Sequence, residues 1–108
     1  MQLDLPEPIA AYFIADKEDG EAVSQRFTEN AVVKDEGHTY HGRAAIKQWM
    51  ADASAKYQYT IEPFACERKD VKIVVTSRLT GNFPGSPVNL RFSFRLEGDK
   101  IESLEIIP

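Results

Sequence analysis

Between Val88 and Leu96 apolar and polar residues alternate without a break, with Val88, Leu90, Phe92, Phe94 and Leu96 on one side and Asn89, Arg91, Ser93 and Arg95 on the other. Successive side chains of an extended chain point to opposite faces, so this run predicts a strand with one dry and one wet face. A second long strand is predicted upstream, where Val71, Ile73, Val75 and Leu79 alternate with Lys72, Thr76, Arg78 and Thr80, interrupted by Val74 and Ser77. Tyr59, Ile61, Phe64 and Cys66 predict a third, in which Pro63 has no amide proton for a ladder, so that strand is expected to bulge, bend or lie at an edge there. Arg68-Lys69-Asp70 turns the chain between these two, and the composition of residues 81–87 is that of a loop. Glu97-Gly98-Asp99 is a tight hairpin signal, and Lys100 to Ile107 returns as the last strand.

The first half of the chain has a different period. Ile9, Tyr12 and Phe13 recur at helical spacing from Pro6 to about Asp19, and prolines are tolerated in a first turn, where their missing amide protons have no partner to lose. Asp19-Gly20 interrupts this helix, and Ala22, Val23 and Phe27 predict a second short one that ends before Thr28. Ala31 to Asp35 is β-branched and brief, and Glu36-Gly37-His38 turns it into Thr39-Tyr40-His41, a small hairpin. From Arg43 to Tyr57 the residues Ile46, Trp49, Met50, Ala53 and Tyr57 form one stripe, which predicts a long helix with Trp49 as its central packing residue. Two short helices, a hairpin, a long helix and four antiparallel strands make an α+β order with the helices on one side of a meander.

Composition narrows the function classes. The chain has 108 residues, the size of one domain, and 43% hydrophobic with 28% charged residues is ordinary globular usage. Seventeen acidic against thirteen basic residues leave a formal charge of -4, so no cationic excess exists to neutralise a phosphate backbone, and nucleic acid is not an expected partner. The single cysteine, Cys66, forms no internal disulfide, which suits a reducing cytoplasm. No apolar run approaches the ~18 residues of a membrane span, and no membrane association is expected. No glycine-rich phosphate loop is present, and no cofactor is expected.

The element order, together with Ala31-Val32-Val33-Lys34-Asp35, His41-Gly42-Arg43-Ala44-Ala45-Ile46 and Phe94 to Ile101, resembles the SnoaL-like branch of the nuclear transport factor 2-like superfamily. The resemblance covers almost the whole chain. It implies a cone: a strongly curved antiparallel sheet wrapped around the long helix, preceded by two short helices and leaving an apolar cavity open at one end. Such a cone exposes the back of its sheet, and Val74, interrupting a polar face, suggests that this back is partly apolar, so a homodimer whose sheets meet there is expected. The superfamily hosts isomerases, cyclases, dehydratases and proteins that only bind or dimerise, so the fold alone does not choose among them.

Within that frame Asp35 is the first candidate for chemistry, because its position corresponds to the general base of ketosteroid isomerase. A carboxylate whose proton affinity is raised by apolar walls can take a proton beside a carbonyl and return it. The bland alternative is a turn aspartate that accepts from the Gly37 or His38 amide. That isomerase also uses a tyrosine on its first helix and a protonated acid on its penultimate strand, a pattern of the kind known for such sites. Here Tyr12 lies one position from the first of these, and Phe92 or Leu90 falls where the second acid would be. Tyr12 and His38 are therefore the polar helpers expected beside Asp35, and Phe27, Tyr40, Trp49, Tyr59 and Phe92 are the candidate pocket residues around a small hydrophobic molecule. His38 and His41 invite a metal reading, but residues three apart in extended chain face opposite ways, so no metal site is expected. Cys66 lacks the electropositive setting of a nucleophile. The functional expectation is an isomerase, cyclase or dehydratase acting on a hydrophobic carbonyl compound, with a non-catalytic binding or dimerisation module as the alternative.

Overall fold

The computed structural model describes residues 4–108 of the chain. Its elements run α1 (Glu7–Ala15), α2 (Gly20–Ser24), β1 (Phe27–Asp35), β2 (His38–His41), α3 (Gly42–Lys56), β3 (Tyr59–Lys69), β4 (Lys72–Gly81), β5 (Val88–Glu97) and β6 (Lys100–Ile107). The six strands form one sheet in the order β2-β1-β6-β5-β4-β3. Every ladder is antiparallel except β1 with β6, which is parallel.

Local chemistry explains the boundaries. α1 stops short of the predicted Asp19 because that residue begins the next helix, its carboxylate accepting from the Ala22 amide at 2.8 Å to cap α2. Phe27, expected on the second helix, instead opens β1 and is fully buried. The Arg26 carbonyl beside it accepts from the Ile101 amide at 2.9 Å, so the chain is already extending along β6 at this point. Between β1 and β2 the turn residues Glu36 and Gly37 have φ of 53° and 79°, the left-handed pair of a tight hairpin. That turn sets the register Asp35↔His38 and Val33↔Tyr40.

Curvature comes from broken registers. The β3–β4 ladder slips between Pro63 and Ala65, as the missing proline amide predicts, and the ejected residue is Phe64, which is 50% exposed rather than in the core. Further slips fall between Phe27 and Val32 on β1 and between Arg95 and Leu96 on β5. The β3–β4 turn sits at Asp70-Val71, later than predicted, and leaves Val71 exposed in the turn instead of inside β4.

The bent sheet closes over α1, and α3 packs on α2, β1 and β2. Tyr12 and Phe13 of α1 meet Phe92 and Phe94 of β5 with ring centroids 5.4 to 6.5 Å apart, edge-on or tilted. Pairs of this kind add roughly 0.5–1.5 kcal/mol beyond area burial. Ile46, Trp49 and Met50 are the buried part of the α3 stripe, while Ala53 and Tyr57 are only partly covered.

Candidate functional site

The core does not fill the cone. Beyond the α1 aromatics, toward the C-terminal half of α3 and the β4–β5 loop, lies an open cavity of about 590 Å³. β1 and β2 deliver its first polar corner, because the hairpin register turns Asp35, His38 and Tyr40 to the inner face. By the same register His41 and Thr39 lie on the outer face, in a groove with Val32 and Lys34. The two imidazoles therefore do not converge.

Asp35 is half-buried at the end of β1, and the Trp49 indole N–H donates to its carboxylate at 3.0 Å. Burial raises the Asp35 pKa above its ordinary value of 3.8, and the Trp49 hydrogen bond, which favours the charged form, opposes part of the rise. The neighbouring charge of Glu36 pushes upward and His38 pulls downward. Tyr40 lies against Trp49, with centroids 6.1 Å apart, so the indole is held between its acceptor and a second ring.

A second carboxyl enters the cavity from the end of α1. Asp16 follows the last helical turn, four residues after Tyr12, and the Tyr59 hydroxyl of β3 donates to it at 3.4 Å. The same hydroxyl lies 3.8 Å from the Met50 sulfur. Burial pushes the Asp16 pKa from 3.8 up to about 6, against the Tyr59 hydrogen bond and the charge of Lys17, both of which lower it. Burial also holds the Tyr12 and Tyr59 phenols above their ordinary range, and the charges of Asp16 and Asp35 add to both.

Of the residues singled out in the sequence, Asp35, His38, Tyr12, Tyr40, Trp49, Tyr59 and Phe92 line this cavity. Phe27 does not: it is fully buried behind Tyr12, with the two rings edge-on at 6.0 Å. Leu90 and Phe92 present apolar surface where the resemblance would put a second acid. Sequence reasoning misses Asp16. Its one signal is the i, i+4 step from Tyr12, which stacks the two on one helix face. Burial raises the Cys66 thiol, so it stays protonated and unsuited to attack.

A curved sheet with helices on its hollow side is the cone-shaped α+β fold of ketosteroid isomerase-like and nuclear transport factor 2-like proteins. Residues 10–104 match the model of the SnoaL-like domain, and the chain belongs to that family. A candidate polyketide cyclase from Sinorhizobium meliloti is 39% identical, with a TM-score of 0.90 over 95% of both chains. A Catenulispora acidiphila protein of ketosteroid isomerase-like fold, solved in complex with trimethylamine, is similar in fold at 20% identity and a TM-score of 0.86, over 97% of this chain and 87% of that one. SalBIII, an epoxide hydrolase/cyclase-like enzyme of pyran ring formation in salinomycin, aligns at 24% identity and a TM-score of 0.78, over 94% of this chain and 87% of its own. No curated protein matches the chain significantly. Among the described residues, no helix is long and apolar enough to cross a membrane.

Proposed function

We propose that the cavity takes a small hydrophobic carbonyl compound and that Asp35 is the general base that removes a proton beside the carbonyl. The observation that carries this reading is the Asp35 carboxylate itself. It is half-buried on the cavity wall, held by the Trp49 indole at 3.0 Å and raised in pKa by burial. Desolvation makes the carboxylate a stronger base, and the indole fixes its orientation without neutralising it. His38, opposite Asp35 in the hairpin, and Tyr12, in the cavity wall, are its polar helpers in this reading.

Isomerisation, cyclisation and dehydration of carbonyl compounds all begin with such a proton transfer. The Sinorhizobium meliloti relative, named as a candidate polyketide cyclase, supports a carbonyl-rich substrate for this chain as well. A non-catalytic ligand-binding or dimerisation module is the second reading, favoured by the apolar Leu90 and Phe92 on the β5 side of the cavity.

The test uses 2-acetylnaphthalene, whose methyl protons exchange slowly with deuterium oxide in free solution. The native protein is expected to accelerate that exchange. Asp35→Asn, which keeps the shape of the side chain, is expected to abolish the acceleration and to leave ketone binding in place. Equal exchange with and without the Asp35 carboxylate would assign the cavity to binding alone.

A further inference from the structure

The cavity holds two carboxyls with unlike partners, and proton abstraction by Asp35 uses only one of them. Asp35 receives an indole N–H, while Asp16, at the other helix, receives only the Tyr59 hydroxyl. Neither carboxyl makes an ion pair among the described residues. Tyr12, 1% exposed, lines the same cavity as both carboxyls.

We propose that Asp16 is the acid of this site, donating to the carbonyl oxygen of the substrate while Asp35 takes the carbon-bound proton. The assignment rests on the reading of Asp35 as base. Two carboxyls in environments that separate their proton affinities divide the acid and base roles between them. Burial displaces Asp16 to about 6, so below that pH it carries a proton to give, while the Trp49 indole favours the charged form of Asp35.

The step balances within the site. The Asp35 carboxylate accepts the proton α to the carbonyl, the C–H electron pair becomes the carbon–carbon double bond of the enol, and the Asp16 proton passes to the oxygen. In the return step Asp35 gives its proton back to carbon and the enol oxygen returns the other to Asp16. No oxidant or further reactant takes part. The substrate is accordingly a ketone or ester whose oxygen reaches the Tyr12–Asp16 side while its acidic carbon faces Asp35. This supplies, from the end of α1, the donor that Leu90 and Phe92 do not provide from β5.

The titratable groups that share the cavity with Asp16 are Tyr12 on α1, Asp35 on β1, Glu36, His38 and Tyr40 in the hairpin, Asp52 and Lys56 on α3, Tyr57 after it and Tyr59 on β3, and Lys17 follows Asp16 in the chain. Of these, Lys17 and Tyr59 shift it most. The experiment is therefore run in the Asp35→Asn variant, where the base no longer titrates and failure of the Asp35 reading has no influence. Binding of 2-acetylnaphthalene, whose oxygen only accepts, is followed from pH 5 to 7 by quenching of Trp49, the single tryptophan. The carbonyl stretch of the bound ketone is read by infrared spectroscopy.

Affinity is expected to fall about tenfold over that range as the protonated fraction of Asp16 falls, with the carbonyl stretch lowered only at the acid end. Asp16→Asn keeps a donor and is expected to flatten the profile. Tyr59→Phe removes a hydrogen bond that favours the charged form and is expected to move the midpoint upward. A flat or rising profile in the Asp35→Asn protein, an unshifted carbonyl stretch, a slope that survives Asp16→Asn, or no ketone binding at any pH would overturn the assignment.

Discussion

The Trp49 indole N–H donates to the Asp35 carboxylate across 3.0 Å, joining the centre of α3 to the last residue of β1. One side chain thus serves the core and the site together: Trp49 is 6% exposed, yet it lines the cavity and holds the carboxylate. Trp49→Ala is expected to cost on the order of 3–5 kcal/mol, the scale of emptying a large aromatic site in a core. Trp49→Phe keeps most of the volume and removes the donor. It is expected to cost about 1 kcal/mol by urea unfolding and to raise the Asp35 pKa further, because the lost hydrogen bond favoured the charged form. An unchanged Asp35 titration in Trp49→Phe would show that the indole does not hold the carboxylate.

Stability should carry the sign of the buried acid at α1. The Asp16 pKa is higher in the fold, about 6, than its ordinary 3.8, so the folded state binds the proton more tightly than the unfolded chain. Below 3.8 both states are protonated and no penalty exists; the penalty grows as pH rises from 3.8 to about 6 and is constant above. A displacement of that size corresponds to at most roughly 3 kcal/mol. Asp16→Asn is therefore expected to raise the melting temperature at pH 7 and to change it little at pH 4. A variant less stable than the native protein at pH 7 would contradict this.

Tyr59 depends on a distant glycine for its place. A Cβ on Gly81 would collide with the Gln58 carbonyl and lie 2.8 Å from the Tyr59 Cα, so any larger residue must push β3 away from β4. Gly81→Ala is expected to cost about 1–3 kcal/mol, the usual scale of overpacking. It is also expected to displace the Tyr59 hydroxyl from Asp16, read as a change in the Asp16 titration. A neutral substitution would mean that the strand end yields without strain.

The outer face of the sheet carries partly covered Val32, Val74 and Thr76 among charged residues, and a homodimer through this face is the expected assembly. Light scattering at micromolar concentration is expected to give twice the mass of one chain. A single-chain mass would rule the dimer out.

Much of the architecture is legible in the sequence because it rests on local pattern. The alternation of Val88 to Leu96 predicts β5, the Ile46–Trp49–Met50 stripe predicts α3, and the missing amide of Pro63 predicts the bulge. Where neighbours in space decide, the pattern is mute. Phe27 reads as helical from its spacing to Val23, yet the pairing of Arg26 with Ile101 draws it into β1. The parallel β1–β6 ladder joins segments far apart in sequence and leaves no periodic trace. The site divides in the same way. Asp35 is picked out by the family resemblance, and the β1–β2 register of the structure turns it and His38 inward. Asp16 falls inside the helix predicted to run to about Asp19, where the pattern gives no sign of its burial, and only the fold brings the Tyr59 hydroxyl of β3 over it.

A general base poised by burial must titrate above its solvated value, and a pH titration of the Asp35 side-chain carboxyl carbon by NMR decides whether it does. The expected midpoint lies above 3.8 in the native protein, as desolvation on the cavity wall requires, and higher still in Trp49→Phe. A midpoint at or below 3.8 would mean a solvated turn carboxylate, and Asp35 would then not be the general base of this cavity.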